Sequence, residues 1–391
     1  RVVGSQVLSS TLVDRLVARC LGDDPRAAAH EISRSRLWEP LVNHACDAQV
    51  GGLLHQRLEH AGIDAPPSAM RTLRVYRDHL AARHKHQLEQ TSAAFDSLKR
   101  AGIPFVVLKG AALAAAVYAS PGARAMDDID ILVNEADATR TEEAMKRAGC
   151  QPGPDLLSPE FYPRYYYERE YLTAGQPAVK IDCHVRPFRP LRYGRTVPAD
   201  AFRDDLQTVA IGGHDAQILS PTNQMIHLCA HAACHGSSKL RWLADIAALW
   251  RTHHASISDA TLIHRCRQWS LAWPVYRTLQ LVGDLFQLDQ DSRCAALMSG
   301  LRGRWSWRDR LAVRQAPYDV DRPLAALMVN LATTPGWAFK LGYLRTIALP
   351  GPSHLGQLYA GRHPGWPLVA HAKRLVHALP FLRSRAALSG A

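Results

Sequence analysis

The sequence predicts an α+β protein, with a strand-and-helix core set between N-terminal and C-terminal helical regions. Three observations predict it: helically spaced apolar residues up to about residue 98, a strand–helix–strand–helix succession in the next fifty or so, and a return to helical patterning beyond about 216.

In residues 1–98, Leu12, Val13, Leu16 and Val17 fall on one helical face, as do Met70, Leu73, Tyr76 and Leu80, with Pro66-Pro67 breaking the chain between them. The core, residues 99–215, begins where Gly102 ends a helix and Ile103-Pro104-Phe105-Val106-Val107-Leu108 forms an almost wholly apolar run, the mark of a strand buried on both faces. Lys109-Gly110 leads into an Ala-rich helix over 111–118, and Ser120-Pro121-Gly122-Ala123 turns the chain. A second strand over 128–133 runs into a helix over 135–148. The Tyr- and Phe-rich stretch 161–173 and the partly alternating stretch 178–185 both read as strands of the same sheet. Residues 216–300 are expected to be helical, with Ser220 or Thr222 capping the first helix. Residues 301–391 read as a basic helical C-terminal region.

A chain of 391 residues that is 47% hydrophobic, with ordinary Gly and Pro usage, has enough apolar material for two or three packed units. No apolar run reaches the roughly 18 residues of a membrane span. Arg1-Val2-Val3-Gly4 offers neither Met nor a signal-peptide pattern, so the natural start is expected upstream and targeting is left open. The eight Cys are scattered without a CxxC pair, which points to reduced thiols and a cytoplasmic protein. The formal charge is +12, and Arg322, Lys340, Arg345, Arg362, Lys373, Arg374, Arg383 and Arg385 lie in a stretch without Asp or Glu. Such a stretch suits an anionic partner or is simply a solvated face, and the apolar spacing of Leu368, Ala372, Leu375, Val376 and Leu379 favours a helix packed on its own domain over one lying on a membrane.

The chemistry is concentrated in Arg124-Ala125-Met126-Asp127-Asp128-Ile129-Asp130-Ile131-Leu132-Val133. On a strand, residues two apart share a face, so Asp128 and Asp130 project together and Asp127 to the other side. Two carboxylates held this close need a cation between them, and a divalent ion satisfies both while also bridging phosphate oxygens. Asp182, in the apolar setting Val179-Lys180-Ile181-Asp182-Cys183, is the candidate third carboxylate. His184 shares its face. His227, His231 and His235 recur every fourth residue; without the Glu of a zinc-protease HExxH they read as a stripe lining the cleft or as packed interior His.

These residues resemble the nucleotidyltransferases of the DNA polymerase β superfamily, and most closely the bacterial nucleotidyltransferase-5 group. The resemblance rests on Leu108-Lys109-Gly110, Arg124, Asp128 to Val133 and Ile181-Asp182-Cys183-His184, and it extends through His227, His231, His235 and Leu240-Arg241-Trp242-Leu243-Ala244-Asp245. It implies a small mixed sheet, a helical half over 216–300 lining the cleft, and Mg2+ (or Mn2+) held by Asp128, Asp130 and Asp182 with a nucleoside triphosphate as co-substrate. The Gly-Gly or Gly-Ser usual after the first strand is Lys109-Gly110 here, so phosphate contact is expected from backbone N–H groups near Gly110 and from Lys109 and Arg124, with His184 and His231 nearby. The expected reaction moves a nucleotidyl group onto an acceptor hydroxyl or phosphate of a small molecule, peptide, protein or RNA. Phosphoryl transfer on the same metals, a toxin-like modifying enzyme and a non-catalytic nucleotide or nucleic-acid binding module are the alternatives.

Overall fold

A computed structural model describes residues 12–351 except 154–160, 189, 199, 238, 289–290, 304 and 315–322. Of the basic C-terminal residues, only Lys340 and Arg345 lie within it, so the helix expected over 366–383 falls outside the described residues. The chain divides into two compact units, one made of 1–152 with 167–334 and the other of 153–166 with 335–391.

The larger unit opens with four short helices, α1 (Leu12–Cys20), α2 (Pro25–Arg34), α3 (Trp38–Asp47) and α4 (Gly51–His60), followed by α5 (Pro67–Arg100). Pro67 sits in the first turn of α5, where its missing N–H costs nothing. At 34 residues α5 is about 50 Å long, and Leu73, Leu80, Phe95 and Leu98 give it a buried stripe.

One sheet of seven strands follows: β1 (Phe105–Leu108), β2 (Ile129–Val133), β3 (Gln151–Pro152), β4 (Glu168–Leu172), β5 (Lys180–His184), β6 (Leu206–Ile211) and β7 (His214–Leu219). Their order is β3-β4-β5-β2-β1-β7-β6. The sheet is mixed: β2 runs parallel to β5 and β1 parallel to β7, while the other neighbours are antiparallel. β1, β2 and most of β5 are buried, as their apolar runs require. Helices α6 (Lys109–Ala116), α7 (Ala138–Arg147) and α8 (Leu191–Thr196) lie between strands.

Beyond the sheet come α9 (Pro221–Cys234), α10 (Leu240–His253), α11 (Asp259–Gln268), α12 (Ala272–Phe286), α13 (Ser292–Leu301), α14 (Trp307–Arg314) and α15 (Pro323–Thr333). Ser220 caps α9 by accepting from the Asn223 N–H, whereas the Thr222 hydroxyl accepts from the Ser258 N–H at 2.9 Å. In the smaller unit, α16 (Trp337–Ala348) packs Phe339 and Tyr343 on the ring of Tyr165.

Two expectations need correction. Within the stretch 161–173 only Glu168–Leu172 is a strand; Tyr162–Tyr166 coils into a helical turn in which the rings of Tyr162 and Tyr166 meet edge to face. The helical region expected from 216 starts instead at Pro221, because Leu206–Ile211 and His214–Leu219 form the hairpin β6–β7 around Gly212-Gly213, both at positive φ and a strong two-residue turn signal. Among the described residues no helix is long and apolar enough to cross a membrane.

Candidate active site

The parallel pairing of β2 with β5 sets Asp130 directly opposite Asp182. Paired residues project to the same face, so two acids from distant stretches of chain stand side by side, each only 4% exposed. Asp128, two residues before Asp130, joins them through a shared cation: Lys180 Nζ lies 3.0 Å from Asp128 Oδ2 and 2.7 Å from Asp182 Oδ2. A second cation serves Asp130, whose Oδ1 accepts from Lys109 Nζ at 2.6 Å and lies 2.9 Å from His184 Nε2. On the other side of that ring, Nδ1 is 3.6 Å from Glu168 Oε2, the residue paired with His184 across β4 and β5.

The electrostatics separate the two facing acids. Burial would raise Asp130, but Lys109 and His184 hold it well below the usual carboxylate range. Burial, with Glu168 and Asp130 as like charges, pushes Asp182 up to about 6, even with Lys180 against it. Its Oδ1 is buried and accepts no hydrogen bond. Such an oxygen is costly to leave unmet, and it is an open donor atom for a cation. Among the described residues no three His, Cys, Asp or Glu side chains are already drawn together around one point; the lysines separate the carboxylates.

Lys109 reaches Asp130 from an unusual backbone. It follows β1 with φ of +47°, a left-handed conformation that costs a Cβ-bearing residue on the order of 1 kcal/mol. Gly110 behind it is packed rather than open: an added Cβ would lie 3.1 Å from both Arg124 Nη1 and Met126 Cγ.

Arg124 is not turned toward the carboxylates. It is 5% exposed and donates to both oxygens of Asp245, from Nε at 3.1 Å and from Nη2 at 2.6 Å, while a further N–H meets the Ala125 carbonyl. Tyr118 completes the cluster by donating to Asp245 at 2.6 Å. The phosphate contact expected of Arg124 would require dismantling a buried bidentate pair. Asp127 also faces elsewhere, toward Arg241 at 3.1 Å and Arg83 at 3.6 Å.

The three His of α9 form a ladder. His227 stacks on Phe188 with ring centroids 5.3 Å apart, His231 lies 6.2 Å from His227, and His235 lies 4.5 Å from His231, with Trp242 against the last two. Burial lowers the pKa of His227 and of His231, and Lys109 and His184 lower both further, which puts the ladder beside the carboxylate cluster. His227 is hydrogen-bonded to the Pro187 backbone, and its Nε2 is buried without a partner.

The structure therefore brings together Asp128, Asp130, Asp182, Lys109 and His184, with His231 alongside; Arg124 lies near enough to feel the Asp128 charge and packs against Gly110, but its hydrogen bonds go to Asp245 instead of to the carboxylate cluster. Sequence reasoning missed Lys180 and Glu168. The signal was present in both cases: Lys180 has the parity of Asp182 on β5, and Glu168 alternates with Glu170 on β4. A groove of about 870 Å3 bounded by Ser33, Trp38, Val42, Pro66 and Ala69 is lined by none of these residues.

Comparison with known proteins matches residues 34–287 to the family described as "uncharacterised nucleotidyltransferase", well over half of the chain. No curated protein matches. A solved structure, an antigenic nucleotidyltransferase-like protein from Paracoccidioides brasiliensis, is 12% identical, with 55% of this chain and 93% of that chain covered at a TM-score of 0.33.

Proposed function

Since this chain belongs to the uncharacterised nucleotidyltransferase family, we propose that it is a Mg-dependent enzyme that moves a nucleoside monophosphate from a nucleoside triphosphate to an acceptor hydroxyl or phosphate. The observation that carries the reading is the facing pair Asp130 and Asp182 with Asp128 beside them. A module that only binds anions gains nothing from three clustered acids, whereas a divalent ion needs them.

Asp128, Asp130 and Asp182 suit a hard divalent cation, because Asp182 Oδ1 is buried and unbonded and the acids otherwise depend on ammonium partners. When bound, Mg2+ would neutralise phosphate charge and polarise the reacting phosphorus. The side chains do the rest by position. Lys109, anchored at the end of β1, holds Asp130 ionised and directs positive charge to the place where the triphosphate would lie. His184, fixed between Asp130 and Glu168, orients Asp130. An acceptor oxygen attacks the α-phosphorus, the bond to the β-phosphate oxygen breaks, and pyrophosphate leaves. Catalysis on this reading is chiefly orientation and charge neutralisation. The eight cysteines, none bridged, support the cytoplasmic expectation.

The test is transfer of label from α-labelled triphosphates in the presence of Mg2+ and acceptor pools, with the mass of the product recorded. Asp128→Asn and Asp182→Asn should each abolish transfer while the variants remain folded, and normal turnover in either would remove the proposal. A mass gain of one phosphate in place of one nucleotide would assign the same site to phosphoryl transfer instead.

A further inference from the structure

Lys180 is the first residue of β5, and its side chain is 33% exposed, the most open of the cations around the carboxylates. Its ammonium nevertheless bridges two acids, Asp128 Oδ2 at 3.0 Å and Asp182 Oδ2 at 2.7 Å. An ammonium between two carboxylates fills the role that a divalent ion would fill, and the two cannot share the position: Mg2+ draws carboxylate oxygens to about 2.0–2.1 Å and repels a neighbouring positive charge.

We infer that Lys180 is a built-in counter-ion of the carboxylate cluster, which a divalent metal displaces and a triphosphate then receives. The inference rests on the metal reading above and adds a control to it. Metal arriving alone must break two ion pairs and leave an ammonium without a partner. Metal arriving with a triphosphate offers that ammonium phosphate oxygens, and charge-assisted bonds to phosphate replace those lost. Metal and triphosphate are thereby made to favour each other's binding, and the coupling is reciprocal by thermodynamic necessity. The chain gives Lys180 the means: it stands at the open start of the strand on a flexible four-carbon stem, whereas Lys109 is largely buried and tied to Asp130. The unbonded Asp182 Oδ1 marks the side on which the arriving metal finds a free oxygen.

The experiment measures Mn2+ binding to the full chain by the loss of free-ion electron paramagnetic resonance signal, without nucleotide, for the wild type, Lys180→Met, Lys180→Arg and Asp182→Asn. Binding of a non-hydrolysable triphosphate at saturating Mn2+ is measured on the same samples, and thermal melting with and without Mn2+ confirms the fold. Lys180→Met should bind Mn2+ roughly tenfold more tightly than the wild type and the triphosphate roughly tenfold more weakly, the size expected for gain or loss of one charged contact. Lys180→Arg, which keeps the charge, should bind Mn2+ as weakly as the wild type. These opposite signs are not produced by a residue that merely supports the strand. Equal Mn2+ affinity in the wild type and Lys180→Met, with binding lost in Asp182→Asn, would overturn the role of Lys180 and leave the carboxylate site standing. No Mn2+ binding by any variant, with or without triphosphate, would overturn both.

Discussion

Arg124 lies across Gly110 so closely that its Nη1 would sit 3.1 Å from a Cβ added there. The glycine is therefore a packing requirement of the buried Arg124–Asp245 pair as much as an opening toward the strand end. Gly110→Ala gains helix propensity of about 1 kcal/mol but crowds a guanidinium that Asp245 does not allow to move. The expected net effect is a loss of about 1 kcal/mol in urea unfolding; a stabilised Gly110→Ala would show that Arg124 gives way.

The Arg124–Asp245–Tyr118 cluster predicts a large single-site cost. Asp245→Ala leaves the Arg124 charge buried without its partner, and breaking such a pair from one side costs about 3–5 kcal/mol. The double variant Arg124→Met/Asp245→Leu should recover much of that loss, since neither charge is then stranded. Chemical denaturation of the two variants checks this, and equal instability in both would point to packing instead of charge.

At Lys109, backbone and side chain can be separated. Lys109→Ala and Lys109→Gly both remove the ion pair to Asp130, but only glycine also removes the strain of a φ of +47°. The glycine variant should be the more stable of the two by about 1 kcal/mol. If alanine is equal or better, the strain assigned to this junction is absent.

Acid should weaken the helical half. Burial, helped by Lys109 and His184, lowers the His227 pKa to about 3, and burial also lowers that of His231, against a value near 6.5 in the unfolded chain. The folded protein keeps both rings neutral, so the unfolded chain binds more protons as pH drops. Their contribution is complete above about pH 6.5 and is lost as pH falls below it, by up to about 1.4 kcal/mol per pH unit for each ring. The raised carboxyl of Asp182 acts in the opposite sense over the same window in any variant that keeps it, so the His contribution is read as a difference: between pH 6.5 and 5 the urea midpoint should decline more steeply in the wild type than in His227→Gln, and equal pH dependence in the two would refute the assignment.

How much of this was legible depended on the distance over which a residue finds its partner. Asp128 and Asp130 declare themselves because strand alternation is local, and Asp182 could be selected because an acid in an apolar run is conspicuous. The apolar run at β1 likewise announced a buried strand. Arg124 misled because an arginine ahead of an acidic strand reads the same whether it meets phosphate or a buried acid, and its acid lies 121 residues away in sequence. In the sequence Lys180 is just a polar neighbour of Asp182; that it bridges two acids depends on β5 lying parallel to β2, which no local pattern encodes. The Tyr-rich stretch before β4 is dominated by strand-favouring aromatics, but Pro163 within it cannot donate to a strand ladder and was a local sign of the helical turn at Tyr162–Tyr166.

The alignment of β2 with β5 also divides the chain by its tolerance of length change. Adding or deleting a residue in the loops between these strands can be taken up at the surface and leaves Asp130 opposite Asp182. A single residue inserted inside either strand, between one of these acids and the pairing that fixes it, would swing that acid through the sheet and leave the two with a wall of backbone between them. Drift in length among related chains should therefore gather outside Ile129–Val133 and Lys180–His184, and these two five-residue segments should keep step with each other even where little else does.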